Sequence, residues 1–266
     1  LESTAVDCWG WGGRGALGNG ANESSDVPVA VSGVGGTGTL SGVATVVNDN
    51  SDTYCALLTS GAVDCWGSGT FGELGNGVNF QFSTVPVEVL GIGGIGTLSN
   101  VTSITTNGLS FCVVLSSGGA DCWGLNNFGE VGAGIAPTGS TPTMNIDTPL
   151  PVTGIGGSGT LADVSNIVGF SNQSYCAALS TGAVACWGLD FSGDLGDSAG
   201  TSSDVPVGVT GLGGIGALTG VTGVYSDGYD TYCATLASTA MDCWGNWIGN
   251  GTIQSNSPVA VSSITS

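Results

Sequence analysis

Tyr54-Cys55-Ala56-Leu57-Leu58-Thr59-Ser60-Gly61-Ala62-Val63-Asp64-Cys65-Trp66-Gly67 reads as a β-hairpin, two apolar runs joined by the loop Thr59-Ser60-Gly61. A hairpin loop of this length takes a left-handed residue at its last position, and Gly61 adopts that conformation without a Cβ penalty. Folded about that loop, Leu58 faces Ala62, Leu57 faces Val63, Ala56 faces Asp64 and Cys55 faces Cys65. Directly opposed residues of antiparallel strands have Cβ atoms about 4.5–5.5 Å apart, near enough for a disulfide after small adjustment. The register set by the turn is therefore also the register that lets the cysteines bond.

The same hairpin returns along the chain. It spans Cys112 to Cys122 about a Ser-Ser-Gly loop, Cys176 to Cys186 about Ser-Thr-Gly, and Cys233 to Cys243 about Ala237-Ser238-Thr239. A β-branched residue is a poor left-handed one, so the Thr239 copy is expected to turn differently. The chain opens inside a fifth copy, Ala5-Val6-Asp7-Cys8-Trp9-Gly10, and leaves Cys8 unpaired because its partner would lie upstream of Leu1. A metal site is the competing reading of nine cysteines. None forms a CxxC, however, and the chain has no His to complete a zinc site. The spacing favours the disulfides Cys55–Cys65, Cys112–Cys122, Cys176–Cys186 and Cys233–Cys243, and with them a compartment outside a reducing cytosol.

Composition narrows the fold and the chemistry. With 50 Gly, 8 Pro and abundant Ser, Thr and Val in 266 residues, short strands and tight turns are favoured over helices. No apolar run is long enough to span a bilayer as a helix. Twenty acidic residues against the single base Arg14 give a formal charge of −19, the wrong sign for a nucleic-acid backbone. The absence of His and Lys excludes Ser-His-Asp and Cys-His hydrolysis and Schiff-base chemistry. A carboxylate pair could still cleave glycosides, but most carboxylates recur at equivalent repeat positions, which argues for structure.

The landmark before the second cysteine falls at Asp7, Asp64, Asp121, Ala185 and Asp242, at intervals of 57, 57, 64 and 57 residues. Such a period marks a repeat architecture, read here as one repeat domain over residues 1–266 whose two ends fall within one incomplete repeat. After each Trp-Gly comes a glycine turn such as Gly72-Glu73-Leu74-Gly75 or Gly129-Glu130-Val131-Gly132. A proline-entered strand follows: Val27-Pro28-Val29, Val85-Pro86-Val87, Leu150-Pro151-Val152, Val205-Pro206-Val207 and Ser257-Pro258-Val259. Proline cannot donate to a ladder, so this strand begins there or lies at an outer edge. The extra length of the third repeat lies mainly in Ala133–Thr148. Four loops beginning at Gly33, Gly91, Gly154 and Gly211 match GxGxxG, yet each runs into a strand-like segment instead of a helix, so a repeated turn is the better reading than a dinucleotide site. A last apolar segment completes about four strands per repeat, the count of a propeller blade.

Taken together, apolar-Cys-apolar-Leu…Ser-Gly-x-Val-x-Cys-Trp-Gly…Gly-Glu-Leu-Gly…Val-Pro-Val resembles the regulator of chromosome condensation repeat, bacterial secreted members in particular. The resemblance covers nearly the whole chain. It implies an all-β fold, a β-propeller of four-stranded blades, commonly seven, with strands from both termini shared in one blade. About five repeats here imply an arc of a larger ring, or a smaller ring; the isolated Cys8 and mid-repeat ends favour the arc. The namesake's nucleotide-exchange and chromatin roles are not carried over, because disulfides and acidity oppose them.

Several side chains stand out as candidates. Asp7, Asp64, Asp121 and Asp242 sit opposite Ala or its equivalent and are expected to face solvent. The loops bearing Asp49 and Asp52, and Asp227 and Asp230, offer hard oxygen ligands, so calcium is the one cofactor considered, against ordinary solvated turns. The repeated Trp9, Trp66, Trp123, Trp187 and Trp244 are expected to pack between blades. Trp11, Trp247, Phe80 and Phe82 fall outside repeated positions and are candidates for a contact surface. Asn22, Asn100, Asn172 and Asn250 head N-glycosylation sequons. The resulting expectation is a non-catalytic extracellular or cell-surface propeller that binds a protein or glycan, as in adhesion, with neither nucleic acid nor a membrane span. The alternative is a structural subunit of an extracellular assembly or filament, in which copies join through an incomplete terminal blade.

Overall fold

The computed structural model describes residues 4–49, 51–135, 144–171, 173–248, 251 and 253–261. These residues form antiparallel sheets joined by turns, and no α-helix occurs among them. The first sheet pairs β1 (Asp7–Gly10) with β2 (Ser25–Ala30). The second has β3 (Val43–Asn48), β4 (Thr53–Leu58), β5 (Val63–Gly69) and β6 (Gln81–Glu88) side by side in that order. The third repeats the order with β7 (Val101–Thr106), β8 (Ser110–Leu115), β9 (Ala120–Leu125) and β10 (Asn145–Pro151). The fourth has β11 (Val164–Phe170), β12 (Ser174–Leu179), β13 (Val184–Gly188) and β14 (Ser203–Gly208). The fifth has β15 (Val221–Ser226), β16 (Thr231–Leu236), β17 (Met241–Asn246) and β18 (Gln254–Ala260). This is the blade pattern of a β-propeller: each sheet is a meander, and the first strands of neighbouring sheets meet on the inner side.

The middle pair of strands in each four-stranded sheet is the cysteine hairpin, in the register the turn dictates. Leu57 faces Val63, Ala56 faces Asp64, Cys55 faces Cys65 and Tyr54 faces Trp66. Sulfur atoms of the four pairs lie at bonding distance, 2.01 to 2.08 Å. Beside each bridge an aromatic pair stacks across the hairpin, Tyr54 on Trp66 at 5.8 Å and Tyr175 on Trp187 at 5.8 Å between ring centres.

Thr239 does not turn its hairpin differently. It takes φ +68°, and its N–H donates to Leu236 O as Gly61 N–H donates to Leu58 O. The reason is that flanking pairs from Tyr232–Trp244 to Thr235–Met241 fix the register, and the loop must close it whatever residue stands there.

The proline strands are outer strands, as the missing N–H requires. In the third sheet the equivalent of Pro86 is Pro149, not Pro151: Cys65 faces Val87 while Cys122 faces Leu150, which places Pro149 one residue before it, as Pro86 precedes Val87. Pro151 is a second proline, directly opposite Asp121.

The core lies between sheets. One cluster joins Val131 and Val152 of the third sheet to Tyr175, Ala177 and Trp187 of the fourth, and equivalent clusters fill the other junctions. Trp66, Trp123, Trp187 and Trp244 are fully buried there. Trp9 is not. It is 65% exposed, because no described residue stands over it as Ala16 stands over Trp66.

The second glycine of each glycine turn is where the next tryptophan lands. A Cβ on Gly132 would lie 2.9 Å from Trp187 Cδ1, and its φ of +67° is left-handed. Gly156 has φ +74° but nothing within 4 Å of such a Cβ. Gly156→Ala is expected to cost about 1–2 kcal/mol from backbone conformation alone. Gly132→Ala should cost a further ~1–3 kcal/mol from overpacking, read by chemical denaturation. By the same backbone argument Thr239→Gly should raise stability by about 1 kcal/mol in that assay.

Candidate functional site

Because strands alternate in direction, connections between first and second strands share one end of each blade with connections between third and outer strands. That end collects the candidates. Trp11, Phe80, Phe82 and Trp247 are all exposed, and all lie on or next to the connection between a third and an outer strand. They share a face but belong to the first, second and fifth sheets, so they do not converge into one pocket. Two further exposed aromatics, Phe128 and Phe191, occupy the same connection in the third and fourth sheets. Sequence reading passed over them because both sit beside the repeated glycine turn and read as part of it. With them included, every sheet presents an aromatic ring on this face.

Beneath the rings lies a second repeated feature, the acidic residue of the glycine turn. Glu73 and Glu130 are buried, and each accepts the N–H of the residue two before it through Oε2, from Phe71 at 2.6 Å and Phe128 at 2.8 Å. Asp194 accepts from Phe191 at 3.2 Å and Ser192 at 3.4 Å. The second oxygen of each carboxylate has no partner among the described residues. Their backbone carbonyls accept the indole N–H of the next blade: Trp123 to Glu73 at 2.7 Å, Trp187 to Glu130 at 2.9 Å, Trp244 to Asp194 at 2.9 Å. Burial pushes the carboxyls of Glu73, Glu130 and Asp194 up to about 7.

Asp49 is also buried, and burial pushes it up to about 6 against the N–H groups of Ser51 and Thr53 that favour its charge. Asp227 accepts from Tyr229 and Thr231 in the same manner, and Asn107 from Leu109 and Ser110. These side chains close Asx-type turns. Asp52 has φ +69°, and its carbonyl accepts Ser68 N–H; the Asp230 carbonyl accepts Asn246 N–H. Among the described residues no group of three or more His, Cys, Asp or Glu side chains is placed to hold a metal ion.

Other candidates fall elsewhere. Asp64, Asp121 and Asp242 do not face solvent as expected; they are 3%, 3% and 2% exposed, and only Asp7 is open. Their strand has a neighbour on both sides, and the GxGxxG loop of the preceding sheet packs on the outer strand beside it. Gly33 N–H donates to Gly38 O and Gly36 N–H to Gly33 O, with no helix following to meet a phosphate. Asn22 and Asn100 are exposed; Asn172 and Asn250 lie outside the described residues. Cys8 is half-buried and without a disulfide partner among the described residues, and burial followed by the charge of Asp7 raises its thiol pKa.

Human and mouse E3 ubiquitin-protein ligase HERC2 are each 32% identical to this chain over 133 residues, 50% of this chain and 2% of theirs. The chain thus spans a small part of these curated relatives. Yeast RCC1 (Prp20), solved bound to Kap60, superposes with a TM-score of 0.68 at 15% identity, covering 99% of this chain and 58% of that one. The chain is thus similar in fold to regulator of chromosome condensation repeat proteins. Human WBSCR16 shares the fold, with a TM-score of 0.67 at 20% identity over 94% of this chain and 61% of its own. No protein-family model matches the chain. Among the described residues of this chain, no helix is long and apolar enough to cross a membrane.

The buried carboxylates give the propeller a pH dependence of definite sign. Each folded-state pKa lies above its unfolded value, so the folded state holds extra protons between about pH 4 and 7. Their contribution is complete below pH ~4 and is lost as pH rises through 7. Melting temperature should therefore fall between pH ~5 and ~8, and Glu130→Gln should flatten that fall by an amount equivalent to about 1–3 kcal/mol.

Proposed function

We propose that the chain works as one repeat domain, a non-catalytic interaction scaffold that engages a protein partner through the end of the blades bearing Trp11, Phe80, Phe128, Phe191 and Trp247. The observation that carries this reading is the recurrence of an exposed aromatic on the same connection of every sheet, from 41% for Phe128 to 75% for Phe191. Large rings left in water at repeated loop positions cost hydration free energy, and such residues dominate interface energetics when buried. Loops on a repeat scaffold vary without disturbing the core beneath them.

Relatives of the same fold support binding over chemistry. The yeast protein was solved bound to Kap60, and its structure is described with binding properties to Gsp1p and histones. A chain of −19 formal charge with one basic residue is suited to a basic or neutral partner rather than an acidic one. A glycan is the second ligand class, since exposed aromatic faces also stack on sugars. Four bridged cysteine pairs support an extracellular or cell-surface setting, where disulfides persist.

The test compares two surface variants. In one, Trp11, Phe80, Phe191 and Trp247 are changed to Ser; in the other, Ile95 and Ile215 at the opposite end of the blades are changed. Partners captured from the native cell-surface fraction, and binding to a glycan array, should be lost with the aromatic variant and kept with the isoleucine variant. Equal retention by both would sink the proposal, and light scattering on the same samples reports whether self-association changes with either.

A further inference from the structure

The opposite end of the third sheet holds a pocket of about 210 Å³. Its walls are mainly apolar: Ile92 from the GxGxxG loop of the second sheet, Leu115 from the hairpin, Pro151 from the outer strand and Leu161 from the end of the third sheet's own GxGxxG loop, with Ser117 and Thr160 the uncharged polar residues. Asp121 lines it from β9 and is 3% exposed. No hydrogen-bond donor or positive charge reaches its carboxylate among the described residues, and burial alone acts on it, raising its pKa. Pro151 stands directly across the ladder and has no N–H to offer.

A desolvated carboxylate with nothing to pair it is costly, and the fold does not need one here. The fourth sheet has Ala185 at the same place, facing Gly208, and closes its ladder equally well. Asp64 in the second sheet faces Glu88, a second carboxylate, which makes a different site. Asp242 in the fifth sheet is as deeply buried but faces Ala260, and only the third sheet sets a proline opposite the buried carboxylate.

We infer that this pocket binds a primary ammonium carried on a short aliphatic chain, with Asp121 pairing the charge and Ile92, Leu115 and Leu161 enclosing the chain. The charge of the group follows from the carboxylate, and its shape from walls that offer no other charge. The volume is below that of pockets for drug-sized ligands and matches a single side chain or a small amine. The chemistry is shared by a lysine side chain of a protein partner and by a free alkylamine. The acidity of the whole chain would raise the local concentration of either.

The experiment is a titration followed by amide chemical shifts, using n-butylammonium, n-butanol as the uncharged analogue, and a terminally blocked peptide containing one lysine. Butylammonium should give saturable shifts confined to residues 115–121, 160–161 and the segment around Ile92, and butanol should not. Asp121→Asn and Asp121→Ala should weaken binding by about tenfold or more, the loss expected for one charge-assisted contact. Both variants should melt at or above the wild-type temperature. Saturation by the lysine peptide at lower concentration than the free amine assigns the site to a protein partner, and the reverse order to a metabolite. Absence of saturable butylammonium shifts, or equal binding by Asp121→Asn, overturns the inference. So does a lower melting temperature of Asp121→Ala with binding retained, which would make Asp121 structural. Failure here leaves the aromatic face untouched, because the two sites lie at opposite ends of the blades.

Discussion

Everything in this propeller depends on how one blade is held to the next, and the central contact is a tryptophan indole. Trp66, Trp123, Trp187 and Trp244 each donate Nε1–H to a carbonyl of the preceding glycine turn, over 2.7 to 3.1 Å. The Cδ1 and Nε1 atoms of the ring press on a glycine that could not carry a Cβ, and an aromatic of its own hairpin stacks on the indole. The same turn then reaches the outer strand of the next blade, where Gly77 N–H donates to Asp147 O and Gly134 N–H to Asp204 O. A buried donor satisfied across a seam orients the two sheets as well as joining them.

The seam explains which parts of the fold were legible in the sequence. Hairpin register could be read because loop length and cysteine spacing gave the same answer. The period could be read because each blade needs the same tryptophan and the same two glycines. Burial of Asp64, Asp121 and Asp242 could not, because it comes from the GxGxxG loop of another repeat, and local alternation places an aspartate opposite alanine on an open face. Thr239 misled for a related reason: intrinsic preference disfavours it at positive φ, but the ladder on either side decides. In the third repeat two prolines two residues apart made the local pattern ambiguous, and only the strand pairing separates Pro149 from Pro151.

The two candidate sites differ in how visible they were. Trp11, Phe80, Phe82 and Trp247 were found as aromatics outside the repeat pattern, whereas Phe128 and Phe191 hid within it. A side chain beside a structural glycine turn is exposed because the turn faces outward, a fact of orientation that composition does not carry. The pocket at Asp121 depends on Ile92, some thirty residues upstream and on another blade's turn, so its assembly is a tertiary matter. That Asp121 stands opposite a proline is likewise visible only in the strand pairing.

The outer strands carry Pro28, Pro86, Pro149, Pro206 and Pro258, one at the same point of each blade. An exposed sheet margin normally offers a row of free amide groups on which a foreign strand can nucleate, the first step of fibril growth. Here each margin is interrupted where an incoming strand would need continuity. An array made almost wholly of short strands is thereby made a poor template for amyloid, and blades can be added in series without their flanks becoming adhesive to one another.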